Sequence, residues 1–220
     1  MVFRDRRDAG KQLSERLLHL RGHSPIVLAL PRGGVVVGNE VARALGAPLE
    51  VIVARKLGAP GNPEFGFGAI GPGGERVLDR NTVRMLGLTE ADIELVAREE
   101  LQELERRLRH YRGDRPMPEL RGRTAIVVDD GLATGVTARA ALRAVRRMQP
   151  ARLVLAVPVS PPDTAESMAA EVDEFVCLHT PPGFMAVGQW YEVFDQTSDE
   201  EVMQILERHR GEERQVGSEQ

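Results

Sequence analysis

Two adjacent carboxylates close an apolar run, and a short hydroxylated loop follows them: Ala125-Ile-Val-Val-Asp-Asp-Gly-Leu-Ala-Thr-Gly-Val-Thr137. The run has the length of a buried strand, and helical spacing begins at about Thr137. In a loop of small residues at a helix N-terminus, the backbone amides point at a common centre and the helix dipole adds positive potential. Residues Ala133, Thr134, Gly135, Val136 and Thr137 are therefore suited to a phosphate monoester, with Thr134 and Thr137 as extra hydroxyl donors. Asp129 and Asp130 lie one loop away. Carboxylates accept hydrogen bonds, so their fitting partners are a diol or metal-bound water. A phosphate at one end and a diol at the other describe a ribose 5-phosphate.

Other phosphate motifs fit less well. A Walker A loop ends in Gly-Lys-Ser/Thr, and no lysine lies in this stretch. A receiver domain also places paired aspartates after a strand, but near its start, whereas this pair lies past the chain midpoint. Gly66-Phe-Gly-Ala-Ile-Gly71 matches the dinucleotide fingerprint in letters only, since it follows Pro63-Glu-Phe and runs into Pro72-Gly-Gly.

The elements that must position this pair are readable from periodicity. Helices are expected over 5–21, 35–45, 89–111, 137–148, 163–170 and 198–209, and strands over 25–30, 49–53, 124–128, 153–157 and 174–178. Thr89 with Asp92 makes a capping-box pattern. Strands alternating with helices of crossover length predict an α/β fold, a Rossmann-like, mostly parallel sheet with helices on both faces. Ligands of such sheets bind where loops leave the carboxyl ends of strands. Residues 55–75 hold seven glycines and three prolines, and such a stretch reads as a lid or binding loop. The tail after His209 reads as frayed.

Composition narrows the classes. The chain has 220 residues, 42% hydrophobic and 28% charged, which is globular rather than disordered. One cysteine, Cys177, excludes an internal disulfide framework and multi-cysteine zinc sites. A net charge of −4 argues against a broad nucleic-acid surface. No apolar run approaches the ~18 residues of a membrane span, and the charged start MVFRDRRDAG is unlike a signal peptide, so a cytoplasmic protein is expected. Of 29 basic residues only Lys11 and Lys56 are lysines, which singles out Lys56 beside the glycine-rich stretch.

The string IVVDDGLATGVT resembles the 5-phosphoribosyl 1-pyrophosphate (PRPP) signature of type I phosphoribosyltransferases, with Ala133-Thr134-Gly135 where many members have Thr-Thr-Gly. The resemblance covers residues 25–180. It implies that Asp129 and Asp130 hold the ribose hydroxyls and 133–137 the 5-phosphate. Pro31-Arg-Gly-Gly34 is similar to the family's pyrophosphate loop, where Arg32, Gly33 and Gly34 would meet the diphosphate across a cis Pro31–Arg32 peptide. Val53-Ala-Arg-Lys-Leu-Gly58 is similar to the Arg-Lys pair that opens a flexible lid, which implies PRPP-binding roles for Arg55 and Lys56 and a catalytic one for Lys56. Phe184-Met-Ala-Val-Gly-Gln-Trp-Tyr-Glu-Val-Phe-Asp195 resembles the hood of hypoxanthine-guanine members. By that likeness Phe184 stacks on the acceptor with Trp190 nearby, and Asp195 is an inexact match for a metal-facing acid.

The expectation is one phosphoribosyltransferase domain over 1–220, with a lid at 55–75 and a hood at 180–197. It would use Mg²⁺, PRPP and a nitrogenous base in nucleotide metabolism, and could form a homodimer. The alternative is a PRPP-binding regulator of the same fold without turnover. The acceptor base is not legible.

Overall fold

A computed structural model describes residues 2–218, with side chains for all of these except Glu64 and 213–218. In chain order the elements are α1 (Arg6–Leu17), β1 (Pro25–Ala29), α2 (Gly33–Leu45), β2 (Leu49–Val51), β3 (Arg55–Ala59), β4 (Asn62–Ile70), β5 (Arg76–Leu78), α3 (Arg80–Met85) and α4 (Glu90–Arg112). They continue with β6 (Thr124–Val128), α5 (Val136–Arg147), β7 (Arg152–Val159), α6 (Pro162–Ala169), β8 (Glu174–His179) and α7 (Asp199–Ser218).

Five strands form a parallel sheet in the order β2-β1-β6-β7-β8. The two-residue period of β1 explains why it is buried on both sides. Val27 and Ala29 face α1, α2 and α7, while Ile26 and Leu28 face α5 and α6. The first crossover, through α2, runs from β1 outward to β2. The second, through α5, runs from β6 outward to β7. The reversal falls between the neighbours β1 and β6, which opens a crevice at their carboxyl ends.

The predicted helices and strands of this layer are present. Thr89 caps α4, with both halves of the capping box formed with Asp92. The last helix is longer than its periodicity suggested and runs on to Ser218.

The stretch 55–75 departs from the loop its composition suggested. Strands β3 and β4 form an antiparallel hairpin, and β5 adds a third strand. Leu57, Phe67 and Ile70 are buried against Ile93 and Ala97 of α4. Glycine here permits close backbone approach: Gly58 lies against Pro63 and Gly68 against Val77 on the facing strands. Composition could not separate that use from the loop-forming one. The segment β5–α3 was also not anticipated, because its strand is three residues long.

Candidate active site

Two loops meet in the crevice. The first follows β1, where the Pro31–Arg32 peptide is cis and α2 begins at Gly33. The second follows β6 and holds Asp129 and Asp130. Leu30 N donates to Val128 O (2.9 Å), which ties the two exits together. The glycines of the first loop are pressed against the acids of the second. A Cβ on Gly33 would overlap the Asp130 carboxylate, 2.8 Å from its Cγ, and would stand 2.5 Å from Arg6 Nε. A Cβ on Gly34 would stand 2.9 Å from Val128 O and 3.0 Å from Asp129 Cα. Neither residue has a positive φ, so glycine is required for space.

The loop after β6 turns directly into α5. Gly135 sits at the N-cap of α5 with φ +70°, so the chain turns into the helix through the left-handed region. Thr164 Oγ1 of α6 donates to Ala133 O (2.8 Å) and fixes the loop from outside. Ala133 and Thr134 are exposed, while Val136 and Thr137 are half-buried.

Asp129 and Asp130 act on each other as adjacent acids. Burial raises the pKa of both. For Asp129 the charge of Asp130 adds to the rise. For Asp130 the Arg6 guanidinium opposes it: Arg6 Nε donates to Oδ2 at 2.7 Å. The Asp130 backbone N also donates to Asp129 Oδ1 (2.8 Å).

Arg6 was missed by the sequence reading. It lies at the start of α1, more than 120 positions from its partner. It also donates to Asp195 O (2.7 Å) and lies over the Phe194 ring, 3.9 Å from its centroid. The 180–197 segment closes the arrangement: Tyr191 Oη donates to Asp130 O (2.6 Å), and Val187 packs against Gly131. An aspartate at N-cap position 5 followed by arginines is an ordinary helix start, so no local signal marked Arg6.

The remaining candidates are spread out. Arg32 is half-buried at the N-cap of α2. Arg55 and Lys56 are adjacent on β3, where successive side chains point to opposite faces. Arg55 pairs with Glu100 of α4 (2.6 Å), whereas Lys56 is exposed with its stem lying across Gly66. Their side chains are therefore turned apart. Phe184 is half-buried and stacked on Trp190, with centroids 6.3 Å apart and planes 19° apart. The Trp190 Nε1 is buried without a hydrogen-bond partner. Asp195 contributes its carbonyl to Arg6, and its side chain is exposed. Among the described residues no group of three or more His, Cys, Asp or Glu side chains is placed to hold a metal. No described helix is long and apolar enough to cross a membrane.

The family model described as the phosphoribosyl transferase domain matches residues 5–182. The chain belongs to the phosphoribosyl transferase family. Two proteins of Mycobacterium tuberculosis, from strains CDC 1551 and H37Rv and each described as a "putative phosphoribosyl transferase", are 51% identical over 210 residues, or 95% of this chain. The chain spans about half the length of these curated relatives, 47%. The crystal structure of TT1426 from Thermus thermophilus is 47% identical, with a TM-score of 0.79 over 94% of this chain and 98% of that one. The family match extends across both loops of the crevice and begins one residue before Arg6.

Proposed function

We propose that this protein transfers the 5-phosphoribosyl group of PRPP to a nitrogenous base with release of pyrophosphate. The observation that carries the reading is the meeting of the Pro31–Gly34 loop with Asp129 and Asp130 at the reversal point of the sheet. One loop offers amides and Arg32, the other offers paired acids and a phosphate-type helix start. In this reading 133–137 holds the 5-phosphate at the N-terminus of α5. Asp129 and Asp130 accept from the ribose hydroxyls, and Arg32, Gly33 and Gly34 meet the pyrophosphate.

The bond from ribose C1 to the pyrophosphate oxygen breaks as the bond to the acceptor nitrogen forms. The leaving group departs with the electron pair, and the acceptor gives up its proton. Charge builds on the leaving oxygens, so neutralising them is the main electrostatic task. The donor set fits a Mg²⁺ held largely by phosphate oxygens and water, because Asp129 and Asp130 are acceptors and, among the described residues, no third acid joins them. When bound, Mg²⁺ would supply charge to the departing pyrophosphate. Lys56, exposed on the β3–β4 hairpin, would approach it from the open side, and Arg55 would reach it only by leaving Glu100.

Pyrophosphate release from PRPP and Mg²⁺ across a panel of purine, pyrimidine and pyridine bases tests the reading. Release that depends on one of the bases supports it. Tight PRPP binding with no release for any base would instead favour a PRPP-binding regulator.

The acceptor side rests on Phe184 and Trp190. The buried indole N–H without a partner is a donor that an entering ring nitrogen or carbonyl oxygen would satisfy. Stacking on an aromatic face is worth roughly 1–3 kcal/mol per base. Phe184→Ala should therefore raise the acceptor KM about tenfold or more and leave PRPP affinity nearly unchanged. A variant that loses PRPP affinity and thermal stability together would make Phe184 a structural residue of the Phe3–Tyr191 cluster instead.

A further inference from the structure

Away from the crevice, three guanidinium groups converge where the end of α4, the 113–118 connection and α7 cover the edge strand β2. Arg112 is 8% exposed, and its Nε has no hydrogen-bond partner. Its Nη2 donates to Val51 O and lies 2.8 Å from Met117 Sδ. Arg115 Nε donates to Arg112 O (2.8 Å). Arg210 comes from α7.

The carboxylate that Arg112 and Arg210 share is Glu50, and it holds both loosely. Its Oε1 lies 3.5 Å from Arg112 Nε and 3.4 Å from Arg210 Nη2, and it also accepts from Val51 N at 3.0 Å. Charge-assisted bonds between such groups ordinarily measure about 2.7–2.9 Å. Glu207 is the other acid on the walls and His110 the further titratable base. Burial pushes the Arg112 pKa down, Glu50 offsets part of this, and Arg115 and Arg210 add to the depression. Arg210 is depressed in the same way. Arg112 is thus a buried guanidinium short of acceptors, with the half-buried Arg210 and the exposed Arg115 beside it.

It also has room beside it. A cavity of about 430 Å³ lies between the end of α4 and α7, and a second of about 470 Å³ lies beside Ile26, Pro48 and Glu50. Arg115 and Arg210 line both. Ile26 and Pro48 stand at the entry ends of β1 and β2, whereas Asp129 and the Pro31–Gly34 loop stand at the exit ends of their strands. The two locations are separate.

We propose that the Arg112–Arg115–Arg210 cluster is a second anion site, which binds a small molecule carrying phosphate groups. Guanidinium forks match phosphate oxygens two at a time, and three of them at a cavity wall suit a phosphate better than a single carboxylate. The cavities are of the size that small ligands fill. An anion there supplies the acceptors that Glu50 supplies poorly, and it bears directly on Arg112, which holds the end of β2 where the chain departs for β3.

The test follows the His110 ring signals by nuclear magnetic resonance, assigned with His110→Gln, at fixed pH and ionic strength. Inorganic pyrophosphate is titrated against citrate, a carboxylate polyanion. The expected result is a saturable shift of His110 with pyrophosphate at a concentration at least tenfold lower than with citrate. Arg115→Gln/Arg210→Gln should raise the pyrophosphate concentration needed at least tenfold while keeping the native circular dichroism. Should that variant fail to fold, the single Arg115→Gln change at an exposed position reads the same effect. A His110 signal that does not move, an arginine variant that responds like the wild type, or equal response to citrate would each overturn the proposal. A shift that Arg115→Gln/Arg210→Gln weakens arises at this wall, whereas one caused by pyrophosphate in the crevice would survive those changes.

Discussion

Asp129→Asn should raise the melting temperature at neutral pH and at the same time weaken PRPP binding by roughly ten- to a hundredfold, the scale of a lost hydrogen bond to a charged group. The stability half follows from the raised pKa. Burial and the charge of Asp130 disfavour the ionised Asp129 side chain, so the folded protein keeps its proton to a higher pH than the unfolded chain, whose aspartates ionise near 3.8. Between those two values the unfolded state binds fewer protons, and stability falls as pH rises. Above the folded value the full cost is present and constant. Asparagine carries no such cost, and its Oδ1 can still accept from the Asp130 amide. The advantage of the variant should be absent below about pH 3.8 and should grow as pH is raised. For a chain of this size each kcal/mol recovered corresponds to about 2–4 °C. Melting curves from pH 4 to 8 for both proteins, with PRPP and Mg²⁺ calorimetry at pH 7.5, read both halves. A variant less stable at every pH would remove buried charge as the cost. Unchanged PRPP affinity in the double Asp129→Asn/Asp130→Asn protein would remove the pair from the ribose site. Asp130→Asn alone is the less clean change, because it also strips Arg6 of its ionic partner.

Gly33→Ala and Gly34→Ala should fail in different ways, although the residues are neighbours. The new methyl at position 33 meets the Asp130 carboxylate and Arg6, both side chains that can move. The fold should survive with a loss of about 1 kcal/mol, at the low end of overpacking costs, while the displaced carboxylate costs PRPP affinity at least tenfold. At position 34 the methyl meets Val128 O and Asp129 Cα, which belong to the end of β6 and cannot swing away. Overpacking of that kind costs about 1–3 kcal/mol. Gly34→Ala should therefore melt several degrees lower as well as bind poorly. Urea denaturation beside PRPP titration separates the two. Two alanine variants with wild-type affinity and stability would mean that the loops do not stand this close.

The carboxylate pair, the phosphate-type loop and the Pro-Arg-Gly-Gly turn were legible in the sequence because each is a local device. A strand end, a helix start and a tight turn are specified by the few residues that form them, so type and spacing carried the reading. The same holds for the layer of strands and helices, whose apolar periods are strong. What tertiary structure decided is what depends on residues far apart in the chain. The strand order β2-β1-β6-β7-β8 makes β1 and β6 neighbours and so brings residues 31–34 against 129–130. Arg6 reaches Asp130 only because α1 packs beside the closing 180–197 segment, and nothing near position 6 signals an acid 124 residues away. The strands within the glycine-rich stretch were illegible for the complementary reason. Glycine marks both an irregular loop and a backbone that another strand must approach closely, and only the facing strand distinguishes the two. The pair Arg55-Lys56 looked like a unit in one dimension, yet the pleat of β3 directs one side chain to Glu100 and the other to the open face.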